Sequence, residues 1–136
     1  MLLVELVRTS ADVARTRSRL AKRDRLAGIL RRCAPAEIDL VTTWLSGTLR
    51  QRRTGIGWRS LTDLPTPAAI ATAEIIDVDE KLEQASHLQG SGSGTARQEL
   101  VGELFASLTA DEQDFLRNLI TGQVRQGALD SVMLDA

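Results

Sequence analysis

Apolar residues along this chain recur at helical spacing, interrupted at a few marked places. Val13 and Leu20 share one helix face, whereas Leu26, Ile29, Leu30 and Cys33 fall roughly 100° or more away at ~100° per residue, so one straight helix cannot bury both sets. The pattern therefore predicts a first helix opened by Ser10 as N-cap and a break between Ser18 and Asp24. A second helix follows, with Arg31 and Arg32 in its last turn, where cations suit the helix dipole. The earlier run Met1–Val7 is expected to pack on the core as an apolar strap. Pro35 opens a third helix on which Ile38, Val41, Trp44 and Leu45 lie at helical spacing and which stops at Gly47, which makes Trp44 a core residue. Periodicity is lost from Thr48 to Trp58, and a short helix near Trp58 ends before Pro65 and Pro67.

In the second half, Val78, Leu82, Ala85 and Leu88 predict a helix from about Asp77 to Leu88, with Asp79, Glu80 and Glu83 on its wet side. The next runs from Thr95 to Leu108 and buries Leu100, Leu104, Leu108, Val101 and Phe105. Thr109-Ala110-Asp111-Glu112 reads as a capping box, in which a hydroxyl and a carboxylate each satisfy a free N–H. It opens a helix buried through Phe115, Leu116, Leu119 and Ile120 and ended by Gly122. From Ala128 another amphipathic segment begins and reaches Ala136 with no capping glycine or proline, which reads as a cut within a longer protein. The expectation is an all-α, compact multi-helix single domain over residues 1–136.

Composition agrees with that picture: 136 residues with 43% hydrophobic content fill one core rather than two. The single cysteine, Cys33, has no partner for an internal disulfide, and neither a 20-residue apolar span nor a signal segment is present, so a reducing, cytoplasmic setting and no membrane are expected. His87 is the only histidine, which leaves zinc too few ligands and gives no Cys–His nucleophile. Asp77 and Asp79 read as the solvated first turn of a helix rather than as a general acid and base. The net charge of −1 conceals an asymmetry: residues 1–61 carry 13 Lys and Arg against 5 Asp and Glu, and residues 62–136 carry 4 against 13. A cationic front half attracts polyanions; the plainer reading is that it pairs with the acidic half inside one fold.

Two glycine-bearing turns carry the candidate chemistry. In Gly122-Gln123-Val124-Arg125-Gln126-Gly127-Ala128, glycines lacking a Cβ flank an arginine, whose planar, permanent charge suits a phosphate. In Gly90-Ser91-Gly92-Ser93-Gly94-Thr95-Ala96-Arg97, a Gly-Ser turn opens a helix, where unpaired N–H groups and the dipole favour an anion, with Arg97 one turn in. Taken alone, both turns read as helix caps. A third segment places Arg50, Arg52 and Arg53 before Gly55-Ile56-Gly57; its readings are a further backbone approach to phosphate or a solvated connection.

Taken in order, these elements resemble the N-terminal DNA-binding domain of ATP-dependent DNA ligases, the bacterial members most of all. The matching segments are Thr9-Ser10, Ser18-Arg19-Leu20-Ala21-Lys22, Trp44-Leu45-Ser46-Gly47, Gly55-Ile56-Gly57-Trp58, Asp77-Val78-Asp79, the Gly-Ser turn, Leu104-Phe105, Thr109 through Leu116, and Gly122 through Ala128. Ala73-Glu74-Ile75 is less apolar than the family's usual approach to its helix. The resemblance implies an all-α module that binds nicked duplex DNA without sequence preference, through phosphate and minor-groove contacts. The contacts expected are Gly92, Ser93, Gly94, Thr95 and Arg97, then Gly122, Gln123, Arg125 and Gly127, then Arg52, Arg53, Gly55 and Gly57. It implies that nucleotidyltransferase and OB domains, with ATP and magnesium, belong to the rest of the protein. No cofactor is expected here, because the K-x-D-G lysine motif is absent and Lys22-Arg23-Asp24-Arg25 lacks its glycine. A monomer acting in DNA repair and replication, associated with the nucleoid when on DNA, completes the expectation. The alternative is a helical protein-interaction module whose basic face meets an acidic partner.

Overall fold

The hydrophobic pattern is realised as six α-helices and two short 3-10 turns in the computed structural model, which describes residues 1–51 and 54–122, with only the backbone of Trp58 and Arg59. The helices are α1 (Leu3–Arg15), α2 (Arg19–Arg32), α3 (Ile38–Leu45), α4 (Ile75–His87), α5 (Ser93–Ala106) and α6 (Ala110–Ile120). The 3-10 turns, Pro35–Glu37 and Trp58–Leu61, stand where helices were expected to start. Among the described residues there is no sheet, only one antiparallel bridge between Leu2 and Glu74.

The break between α1 and α2 falls at residues 16–18, earlier than the expected Ser18 to Asp24, because the Ser18 hydroxyl accepts from the Ala21 N–H at 3.2 Å and caps α2 there, leaving Arg19 to Asp24 helical. The start of α1 differs from the sequence reading. The helix begins at Leu3, and Ser10 lies buried inside it, not at its N-cap. The cause is continuity of the apolar face: Leu3, Leu6 and Val13 are all buried on it, and Thr9 and Ser10 are small enough to pack between them. The Thr9 hydroxyl donates back to the Glu5 carbonyl at 3.0 Å, so its burial inside a helix costs no unmet polar group. The strap survives only as Met1-Leu2, tied to the entry of α4 by Leu3 N–H to Ala73 O at 2.8 Å and Ile75 N–H to Met1 O at 3.0 Å.

One core unites these helices. Trp44 and Phe105 are wholly buried, with Leu3, Leu6, Leu26, Ile29, Ile75, Leu82 and Leu116 around them. Helix α1 packs against α2, α3 and α6, while α4 pairs with α5. The expected capping box is formed: Glu112 N–H reaches the Thr109 hydroxyl, and Thr109 N–H donates to the Glu112 carboxylate at 2.8 Å. Gln113 then fastens α6 to its surroundings by donating to the Phe105 and Pro65 carbonyls. Among the described residues no helix is long and apolar enough to cross a membrane.

Candidate functional site

An aperiodic loop joins α3 to the Trp58–Leu61 turn. Its first part is clamped onto α4. Arg50 makes a forked contact to Asp79, with Nη2 to Oδ2 at 2.9 Å, and reaches Glu83 as well. Gln51 donates its amide to Asp79 at 3.0 Å and to Glu83 at 3.1 Å. The Asp79 bond holds the Arg50 guanidinium above its ordinary pKa, and the Gln51 donor, helped by the Arg50 charge, pulls the Glu83 carboxyl below its own. Sequence reasoning missed this clamp. Its partners lie 28 to 33 residues apart, and no local pattern relates them.

Beyond the clamp the same loop meets Arg97 of α5 and faces Gly122. Gly55 lies against the guanidinium of Arg97 on α5, close enough that a Cβ at Gly55 would stand 2.6 to 2.8 Å from three of its atoms. On the other side Gly47, Thr48, Gln51 and Thr54 face Leu119 and Gly122 across an open cleft of ≈ 300 Å³ at the end of α6. The loop thus meets the Arg97 side chain at Gly55 and shares a cleft with Gly122 through Gln51 and Thr54. Gly57 stands beside them, exposed, with open space where a side chain would be. Arg52, Arg53, Gln123, Arg125 and Gly127 lie outside the described residues.

The start of α5 has the character expected of an anion site. Gly92 sits at its N-cap in the left-handed region, φ 82°, with no side-chain cap and no acidic residue in the first turn. Ser93 N–H turns back to the Gly90 carbonyl and Ala96 N–H to Gly92, while the N–H groups of Gly94 and Thr95 find no acceptor among the described residues. Helix α6 satisfies the same positions with Thr109 and Glu112, and α2 uses Ser18. Free first-turn N–H groups and an uncompensated dipole are what a phosphate oxygen meets best. Arg97 differs from its expected role: its Nη2 donates to the Leu88 carbonyl at 2.8 Å, and Nε approaches the Ala85 carbonyl at 3.4 Å, so the guanidinium is turned to the end of α4.

The cationic half of the sequence surfaces chiefly on α2. That helix buries only Leu26 and Ile29 and exposes Arg19, Arg23, Arg25, Arg31 and Arg32, with Leu20 62% exposed beside them. Internal pairing consumes little of this charge: Arg25 meets Asp12 at 3.6 Å and Arg23 meets Asp24 at 3.8 Å, both at the surface. Lys22 and Arg31 make no ion pair among the described residues, nor does Arg32. No group of three or more His, Cys, Asp or Glu among the described residues is placed to hold a metal ion.

Comparison with known proteins gives this geometry a family. A family model described as DNA ligase N terminus matches residues 65–136, more than half of the chain. The chain belongs to the DNA ligase N-terminus family. The likeness extends over α1 to α3 as well. A "Probable DNA ligase" of Beutenbergia cavernae is 52% identical over 136 residues, covering 100% of this chain and 27% of that protein. A "Probable DNA ligase" of Rhodococcus opacus is 50% identical over 137 residues, again with 100% and 27% coverage. One from Streptomyces griseus is 46% identical over 136 residues, also with 100% and 27% coverage. The chain thus spans about a quarter of the length of the curated relatives it matches. No solved structure matches it. The described residues of this ligase N-terminal domain bear out the all-α expectation.

Proposed function

We propose that this domain grips duplex DNA around a single-strand break, by its phosphates and minor groove and without regard to sequence, for a ligase catalytic core in the same longer protein. The observation that carries the reading is the uncapped start of α5, on a helix whose Arg97 side chain meets the Gly55 loop, with Gly122 across a cleft from the same loop. Backbone N–H groups and arginines fix position on DNA without reading bases, which suits a break that occurs in any sequence. The exposed arginines of α2 add a field that draws the duplex in. The chemistry of sealing belongs to that core, with ATP and magnesium; these 136 residues hold no K-x-D-G lysine and supply affinity. Acting as a monomer in the cytoplasm, in repair and replication, is part of the same proposal.

Titration of a fluorescent nicked duplex against the chain, with heparin and an acidic peptide as competitors, tests this reading. Nicked duplex should bind in preference to both. Equal binding of all three polyanions would instead support the protein-interaction module with a basic face.

A further inference from the structure

We infer that Arg97 is a positioning residue, a strut that fixes the Gly55 loop against the start of α5 rather than a ligand of the phosphate itself. The inference rests on the proposed DNA-binding role of the α5 turn. Three contacts carry it. Arg97 donates to the Leu88 carbonyl at 2.8 Å and approaches the Ala85 carbonyl at 3.4 Å, both at the C-terminal end of α4, where the negative end of the helix dipole favours a cation. Its own backbone lies in α5, little more than one turn from Gly92. The guanidinium also fills the space over Gly55, where a Cβ would collide at 2.6 to 2.8 Å with Nε, Cζ and Nη2.

One side chain rooted in the first turns of α5 therefore touches the end of α4 and the loop, and the distances among them follow from its size. Turning Arg97 outward to a phosphate would remove its bonds to α4 and leave a gap under Gly55. The glycine at 55 has its own reason in the same contact. Its φ of +75° already disfavours a side chain, and the guanidinium occupies the place where one would stand. Gly57, which has no positive φ and where a Cβ would meet nothing within 4 Å, has neither reason.

The test is a set of nicked-duplex titrations over a range of salt with Arg97→Ala, Arg97→Lys, Gly55→Ala and the Arg97→Ala/Gly55→Ala double variant, all checked for folding by circular dichroism. A strut predicts about a tenfold loss of affinity for Arg97→Ala, the size of one charge-assisted hydrogen bond. The slope of log affinity against log salt should stay unchanged, since no phosphate contact is removed. Lysine should rescue poorly, because a single ammonium has no plane to span the two carbonyls and Gly55. The double variant should lose no more than the worse single one, since both break the same contact. A slope shallower by about 0.9 with rescue by lysine would make Arg97 a phosphate ligand and overturn the proposal. Additive losses would overturn it too, as would a lower melting temperature with unchanged DNA affinity. Amide hydrogen exchange separates this proposal from the DNA reading: in Arg97→Ala, residues 54–57 and 90–95 should exchange faster together even if the parent binds no DNA. Protection unchanged in either segment would refute the strut by itself.

Discussion

At the residue scale, the opening of α5 contains two neighbouring glycines that respond differently to substitution. Gly92 occupies the left-handed region, so any side chain there strains the backbone, by about 1 kcal/mol, whatever its charge. Gly94 has no such constraint and a Cβ there would meet open space. Gly94→Asp should accordingly stabilise the free domain, by about 0.3–1 kcal/mol, since an acid in the first turn meets the positive helix end. The same carboxylate stands where a phosphate must approach, so nicked-duplex affinity should fall several-fold. A melting curve and a titration on one preparation read both signs; a variant that is more stable and binds DNA as the parent does would strip the α5 start of its assigned role. For Arg125, which the sequence alone nominates, replacement by alanine should cost about 1–3 kcal/mol of DNA affinity with little change in melting.

At the element scale, stability and binding separate cleanly, because several helix-forming devices lie away from the loop. Gly28 sits inside α2 with nothing within 4 Å of where its Cβ would be. A helix-interior glycine costs roughly 0.5–1 kcal/mol relative to alanine. Gly28→Ala should therefore raise the melting temperature by a few degrees and leave DNA affinity where it was. Thr109→Ala should act in the opposite direction, costing about 1 kcal/mol by removing half of the capping box at α6. Thermal unfolding followed by circular dichroism measures both. The α6 box was legible in four consecutive residues because both of its partners are local. Ser10 was misread because the preference of serine for helix N-caps is itself local, and only packing against Leu3, Leu6 and Val13 reveals the residue as interior.

On the scale of the whole molecule, the entries of α1, α3 and α4 meet at the Met1 ammonium, which binds Glu37 and, at 2.8 Å, Glu74. Those carboxylates, Glu37 first, raise the amine from its ordinary value of 8.0 to about 10, and the ammonium in turn holds Glu37 below 4.5. A raised amine pKa contributes stability that is full below pH 8 and is lost as pH rises towards 10. A depressed carboxyl contributes stability that is full above its unfolded value and is lost as pH falls through its folded one. Stability should thus form a plateau between about pH 5 and pH 8 and decline on both sides. Glu37→Gln should remove the acid-side contribution and flatten much of the alkaline one, as followed by urea unfolding across that range; an unaltered profile would show the contact to be idle. DNA binding answers to salt instead. If the exposed arginines and the backbone turns carry it, log affinity falls steeply and linearly with log salt, and a shallow line would count against phosphate as the ligand.

Sequence by itself determined the order of the helices, the existence of a break between α1 and α2 and the burial of Trp44, because helical period, capping chemistry and glycine stops act within a few residues; the start of α1 and the bounds of that break it did not. It also named the glycine turns as the places to look and, through their order, the family. Tertiary structure alone decided what those turns do to one another. Arg97 faces α4 and Gly55, Arg50 and Gln51 clamp Asp79 and Glu83, and Gly122 shares a cleft with Gln51 and Thr54. Such contacts join residues that chain order keeps apart, and their partners are chosen by how helices pack around a common core, a long-range property that no short stretch of side chains encodes.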